Sequence, residues 1–328
     1  MKQKKLHGST LVAEKLRRSQ EPVITGRGPA VFPRTRELVP DKIPLGGFTA
    51  HGPALSEKAC FCTASPSTIC DSIEIWLYDS TGYGYYNYRH PKINTVNITL
   101  TKPLTDNRRP IKIVAVSDIH LGNGTGKTSL KQYVKMINGQ NPDLILIGGD
   151  LIDNSVIPLY AENMAEELTE LKAPLGIYMV PGNHEYISGI DKSIQFIQNT
   201  PIQLLRDSVV TLPCGIQLIG RDDRSNARRL PLQKLMARID KSKPVILLDH
   251  QPYQLAESQA AGIDLQFSGH THHGQVWPMN WVTDHLYEQS HGYRQWENSH
   301  IYVSSGLSLW GPPFRIGTES EMVVLQLH

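Results

Sequence analysis

The chain has 328 residues, 40% of them apolar and 20% charged, and 33 Lys and Arg against 31 Asp and Glu leave a formal net charge of +2. That length suits one large domain or two, with enough apolar content for a sizeable core. So small a net charge excludes general nucleic-acid binding driven by charge, and no run reaches the roughly 18 consecutive apolar residues of a membrane-spanning helix.

Residues 1–75 lack apolar periodicity and are broken by Pro22, Pro29, Pro33, Pro40, Pro44 and Pro53. They carry Cys60, Cys62 and Cys70, with Cys214 far downstream. No second pair stands near Cys60 and Cys62, so free cysteines are expected rather than a metal knot or disulfide framework. The basic start, Lys2–Arg18, leads into no apolar signal-peptide core. The segment reads as an atypical, disordered leader, and residues 76–328 as one domain.

From Tyr83 the pattern changes. The tyrosine-rich stretch Tyr83–Tyr88 offers faces on which bases could stack, but it reads better as an edge segment, because Ile93–Leu100 alternates like a strand leading into the domain. Ile111–Val116 is a short apolar run with β-branched residues, and it delivers Asp118 and His120. Gly122–Ser129 imitates a phosphate-binding loop. The GxxxxGK[ST] pattern needs Gly where Leu121 stands, so a loop running into a helix over 127–137 is expected instead. Asp143–Ile147 delivers Asp150. Leu159–Leu171 has helical spacing, with Met164, Leu168 and Leu171 on one face. Gly176–Val180 leads to Asn183, His184 and Glu185, Pro244–Leu248 to His250, and Asp264–Phe267 to His270 and His272. Continuous apolar runs of this length fit strands buried on both faces, with helices between them. The class is α/β, and side chains leaving several strand ends converge on one edge, the usual place for such a site.

Taken singly, an Asp after a strand is most often a turn residue or helix cap, and a lone His a core or surface histidine. The conjunction argues otherwise, since six of the 13 histidines (His120, His184, His250, His270, His272 and the adjoining His273) fall in or directly beside these motifs. Asp, Asn and neutral His suit hard or borderline divalent ions such as Mn, Fe or Zn, and no thiolate is among them. Seven such groups plus water can hold two ions if one carboxylate bridges. Two ions about 3.5–4 Å apart can hold the attacking and leaving oxygens of a phosphoryl displacement and lower the pKa of a bound water. The residues alone therefore point to metal-assisted hydrolysis of a phosphate ester.

The ordered set Asp118-Ile119-His120, Gly149-Asp150, Gly182-Asn183-His184-Glu185, His250 and Gly269-His270-Thr271-His272 resembles the calcineurin-like metallophosphoesterase family, over about residues 82–328. The resemblance implies two mixed β-sheets packed face to face and flanked by helices, a four-layer α/β fold. It implies a first metal on Asp118, His120, Asp150 and His272, and a second on Asp150, Asn183, His250 and His270, with Asp150 bridging. It makes His184 a catalytic residue acting on the leaving-group oxygen, and a metal-bound hydroxide the attacking group. Glu185 stands where many members carry Asp, and is expected to orient His184. Ser268–Gln275 resembles a bacterial subgroup that often reads GHTHGGQ here and includes members tied to membranes or the cell envelope. Membrane association is thereby implied, although no transmembrane segment is present in the sequence. His273 replaces the usual Gly. It has two readings, as a group near substrate and as a surface histidine. Gln275 is expected to shape the loop.

The expected activity is a metal-dependent phosphodiesterase acting on a small-molecule or lipid phosphoester. The alternatives are a phosphomonoesterase, a pyrophosphatase on a lipid or nucleotide-sugar diphosphate, and an inactive scaffold. Three stretches outside the motifs are expected to choose the substrate: Ser188–Thr200, Arg221–Leu230 and Trp277–Trp296. The second is basic, which suits an anionic substrate or a solvated loop. The aromatics of the third read either as a pocket for an apolar or sugar-bearing group or as a cap over the core.

Overall fold

A computed structural model describes residues 79–104 and 110–328. The predicted leader, 1–75, with Cys60, Cys62 and Cys70, lies outside the described residues.

Residues 79–89 form helix α1. The tyrosine-rich stretch is therefore helical, with Tyr88 buried and Tyr83, Tyr85 and Tyr86 exposed. In chain order there follow β1 (Lys92–Ile98), β2 (Ile111–Val116), α2 (Lys127–Gly139), β3 (Leu144–Ile147), α3 (Ile157–Ala161), α4 (Met164–Thr169), β4 (Ile177–Met179), α5 (Asn183–Ile187), α6 (Ile190–Ile197) and β5 (Gln203–Leu204). The second half holds β6 (Ser208–Thr211), β7 (Gln217–Gly220), α7 (Leu232–Met236), β8 (Val245–Leu248), α8 (Leu255–Ala261), β9 (Leu265–Ser268), a 3-10 turn at His272–Gly274, α9 (Met279–Leu286), β10 (Gly292–Trp296), β11 (Ser299–Val303) and β12 (Glu321–Leu327).

Two six-stranded mixed sheets result, in the orders β1-β12-β2-β3-β4-β5 and β10-β11-β9-β8-β7-β6. In the first, β2 to β5 are parallel and β12 joins β2 antiparallel. In the second, β7, β8, β9 and β11 are parallel, with antiparallel β6 and β10 at the edges.

Strand alternation explains the layers. Ile113 and Ala115 of β2 meet Ile246, Leu248 and Phe267 of the second sheet in a shared core. Val114 and Val116, one residue out of phase, pack instead under Leu130, Val134 and Ile137 of α2 and Met164 and Leu168 of α4. On the far side, Val245 and Leu247 pack on Leu232 and Leu235 of α7. Each central strand is thus apolar on both faces, as its continuous apolar run required. The order helix, sheet, sheet, helix is the expected four-layer fold.

One predicted helix is divided. Met164, Leu168 and Leu171 do share a buried face, but Asn163 adopts φ 50° and separates α3 from α4. Asn tolerates that left-handed conformation better than most residues, so the chain turns there. At the loop that imitates a phosphate site, the backbone N–H of Lys127 donates to the Glu162 carboxylate at 2.8 Å. A carboxylate already occupies that helix start.

Candidate metal centre

All seven predicted ligands converge on one edge, where the strands of both sheets end. Asp118 and His120 follow β2, Asp150 follows β3, Asn183 opens α5, His250 follows β8, and His270 and His272 follow β9. The loops are sharply bent. Asp118, His120, Asp150, His270 and His272 all have left-handed backbone, with φ of 54°, 49°, 51°, 75° and 48°. Such conformations cost stability in non-glycine residues and concentrate at functional sites. The loops are also tight. A Cβ on Gly182 would lie 2.1 Å from Asp150 Oδ1, and one on Gly269 would lie 2.3 Å from Asp118 Oδ2. Glycine is required at both for close approach.

Ligand atoms fall into neighbouring groups: Asp118, His120 and His272 in one, Asp150, His250 and His270 in another. In the first, His120 Nε2 lies 3.1 Å from His272 Nε2, and His272 Nε2 lies 3.4 Å from Asp118 Oδ1. In the second, His250 Nε2 lies 3.1 Å from Asp150 Oδ2 and 3.2 Å from Asn183 Oδ1, and His270 Nδ1 lies 2.9 Å from the same amide oxygen. His120 Nε2 is 3.9 Å from Asp150 Oδ2, so Asp150 stands between the groups. A third group joins His184 to His120 and Asp150.

Electrostatics agree with a cation site. Burial pushes the Asp118 carboxyl up. Burial acts the same way on Asp150, but His250 and His120 outweigh it and hold that carboxyl far below its usual range. His270 is lowered to about 4 by burial and by His250, and burial with His120 lowers His272 well below its usual value. Both are therefore neutral near pH 7, the form in which imidazole binds metal. The His250 Nδ1 position, 2.8 Å from the Gly148 carbonyl, directs Nε2 inward. These oxygen and nitrogen donors, buried and aimed at common points, fit divalent ions.

Glu185 corrects the sequence reading. It does not touch the His184 side chain. Its carboxylate accepts the backbone N–H groups of Gly182 at 2.7 Å, Ile152 at 2.9 Å and Asp150 at 3.1 Å. Burial, then the Asp150 charge, raises it to about 7. The side chain folds back over the start of α5, as a glutamate three residues after a cap does, and fastens two ligand loops together. The carboxylate beside His184 is Asp153, with its Oδ1 3.2 Å from His184 Nδ1 and 3.5 Å from His120 Nδ1. Asp153 follows Asp150 by three residues in Gly149-Asp150-Leu151-Ile152-Asp153, and that repeat of Asp was the available signal. Arg315 was also missed. It is fully buried and donates to the Ser305 carbonyl at 2.6 Å, with a nitrogen 3.2 Å from His272 Nδ1. Nothing in its local sequence marks it.

The remaining expectations divide. Gln275 shapes the loop, donating to the Trp310 carbonyl at 2.9 Å. His273 stacks on His291 at 4.6 Å, faces Asp284 and does not itself line the cavity that its neighbours His272 and Gly274 border. Arg221 and Arg229 pair with buried Asp249, whereas Arg224 and Arg228 are exposed, so only part of the stretch is a solvated basic loop. Ser188–Thr200 contributes Phe196 and Ile197 to the core rather than a substrate wall. Among the described residues Cys214 is buried and free.

The family described as calcineurin-like phosphoesterase matches residues 111–274. An "Uncharacterized metallophosphoesterase" of Helicobacter pylori is 34% identical over 282 residues, covering 83% of this chain and 74% of that protein. The chain belongs to the calcineurin-like metallophosphoesterase family, a family of phosphoester hydrolases. A second Helicobacter pylori strain has a like-named relative, 34% identical across 74% of this chain and 65% of its own length. A "Transmembrane protein with metallophosphoesterase domain" of Danio rerio is 32% identical across 75% of this chain and 59% of its own length. The chain therefore spans roughly three-fifths to three-quarters of these relatives, and they are not confined to bacteria. Among the described residues no helix is long and apolar enough to cross a membrane.

Proposed function

We propose that the protein is a phosphodiester hydrolase that works with two divalent ions. Asp118, His120, Asp150 and His272 hold the first ion, and Asp150, Asn183, His250 and His270 the second. When bound, the ions activate a water and neutralise charge developing on phosphorus. Binding the phosphate close to buried Asp118 and Asp150 is unfavourable without such charge compensation.

His184 borders the cavity through which substrate reaches these ligands. Burial tends to lower its pKa, but the Asp153 carboxylate beside Nδ1 raises it above the usual value. Its imidazolium thus persists to higher pH, with Asp153 fixing the ring through Nδ1 and Nε2 assigned to protonate a leaving oxygen. Asp153 plays the orienting part once expected of Glu185.

The preference for diesters rests on the cavity lining, which includes Asp150, Asn183, His184, His270 and His272 and, among the described residues, neither Lys nor Arg. A diester carries one negative charge and a terminal monoester up to two, and a dianion needs additional cationic partners. The test is hydrolysis of bis-4-nitrophenyl phosphate against 4-nitrophenyl phosphate with Mn²⁺. The diester is expected to turn over faster. A monoester rate well above the diester rate would reverse the assignment.

A further inference from the structure

The metal-ligand floor is one wall of a cavity of about 510 Å³. The rest of the lining is mostly apolar and comes from Val276, Met279, Thr283 and Tyr287 in one stretch of chain and Trp310 and Pro312 in another. Met279, Thr283 and Tyr287 follow one another at four-residue intervals through α9 and its end, so one face of that helix supplies most of the first stretch. The Tyr287 ring lies 6.3 Å from that of His270 and 5.0 Å from that of Tyr253. Gln275, which bonds the Trp310 carbonyl, ties the second stretch to the turn that carries His272. The apolar lining and the ligand floor are therefore continuous.

The rest of helix α9 carries exposed apolar residues among Asn280, Asp284 and His285. No residue of the helix is buried. Trp281, Val282 and Leu286 are 63%, 44% and 65% exposed and do not line the cavity. Trp277, 50% exposed, packs edge-to-face on Trp281 at 5.7 Å, and Trp310 at the cavity mouth is 54% exposed. Single exposed apolar residues need no explanation, but a contiguous group of tryptophans and aliphatics at the mouth of a site does. Exposed tryptophans and a leucine beside the polar Asp284 and His285 suit the interface of a bilayer, where amphipathic aromatic rings settle.

We infer that this cavity takes the hydrocarbon arm of an amphiphilic phosphoester drawn from a bilayer, with the outer face of α9 as the lipid-contacting rim. The inference rests on the phosphoester reading of the metal centre and adds the chemical class of the group attached to phosphorus. The phosphate is held at the ligand floor while the chain lies along Met279, Tyr287 and Trp310. Trp281, Val282 and Leu286 enter the interface and bring the cavity mouth to the headgroup level.

The experiment uses the full chain with Mn²⁺ and a series of 4-nitrophenyl alkyl phosphate diesters with methyl, butyl, octyl and dodecyl arms, each below its micelle concentration. A buried methylene is worth up to about fourfold in binding, so kcat/KM should rise at least about tenfold from methyl to octyl. In Met279→Ser and Trp310→Ser the octyl-to-methyl ratio should fall severalfold. A loss of folded protein would lower both substrates together and leave that ratio unchanged. A flat series overturns the apolar subsite, and no hydrolysis of any member of the series overturns the phosphoester reading instead. In that second case calorimetry with octyl phosphate against inorganic phosphate still reads the subsite, and equal affinities overturn it. Co-sedimentation with phosphatidylcholine and phosphatidylglycerol vesicles tests the source. Trp281→Asp and Leu286→Asp should each reduce the bound fraction severalfold, and unchanged binding overturns the bilayer assignment.

Discussion

The floor and the rim of the cavity are built by opposite rules. On the floor, Asp118 and Asp150 are buried, the loops are left-handed, and glycines stand where even a methyl would collide. Side chains bond across long stretches of sequence, as His250 does to the Gly148 carbonyl and Glu185 to Ile152. On the rim, α9 buries none of its residues and its aromatics face outward. A rigid, over-determined floor suits ligands that must hold a fixed geometry, while a loosely packed rim can change with the substrate. Substitutions should therefore act on the floor through chemistry or metal retention and on the rim through substrate choice.

The sharpest break of the floor is Asp150→Asn. Asp150 lies between both ligand groups, with Oδ2 3.1 Å from His250 Nε2 and 3.9 Å from His120 Nε2. The substitution keeps the shape and removes the charge. Turnover should become undetectable, and metal analysis should give fewer than one ion per chain. Two retained ions with a near-normal rate would show that Asp150 bridges nothing.

The same contrast accounts for what the sequence revealed. Floor residues were legible because the chemistry restricts residue type and because each ligand follows an apolar run that is itself a recognisable strand. Ile111–Val116 was read to the residue, and four other runs were correct within one or two. The pairing of the two sheets came from resemblance, since period-two burial gives the faces of a strand but not its neighbours. Long-range partners were not legible. Arg315 reaches His272 across 43 positions, and Asp153 replaces Glu185 beside His184 because backbone curvature, not spacing alone, decides where a carboxylate points. On the rim, Trp277–Trp296 left the pocket and the cap undecided. The structure divides it: Tyr287 lines the cavity, whereas Trp296 packs on Ile301 and Val303.

Two substitutions grade the floor from reacting groups to supporting ones. His184→Ala should keep both metals and lose about 10²–10⁴-fold in kcat, less for substrates with good leaving groups. Because His184 also lies within ligand reach of His120 and Asp150, metal content decides between an acid and a ligand, and lost metal would redraw the role. Asp153→Asn should cost less, about 10–100-fold, as loss of an orienting partner does. It also has a signature in pH. The carboxylate raises the His184 pKa, so removing it shortens the range in which the ring stays protonated. The alkaline fall of kcat should move to lower pH in Asp153→Asn, and an unmoved profile would separate Asp153 from the acid.

Glu185→Gln gives the smallest effect on chemistry and falls mainly on stability. The carboxylate accepts three backbone N–H groups from Gly182, Ile152 and Asp150. Gln keeps one acceptor oxygen and turns an NH₂ toward at least one of those donors. A buried donor left unpaired costs about 1–3 kcal/mol. Against this, the wild-type group itself carries a penalty, since burial beside Asp150 raises its pKa to about 7. The sign of that shift matters. A carboxyl raised in the folded state favours folding when protonated, so this group weakens stability as pH rises from the unfolded value near 4.5 through about 7. The neutral Gln lacks that dependence. The melting temperature of Glu185→Gln should therefore lie below wild type most clearly near pH 5, and the gap should narrow toward pH 8. Residual activity should exceed that of His184→Ala, because the imidazole and Asp153 remain in place. A Gln variant with wild-type melting at pH 5 would mean that Glu185 does not hold the two ligand loops together.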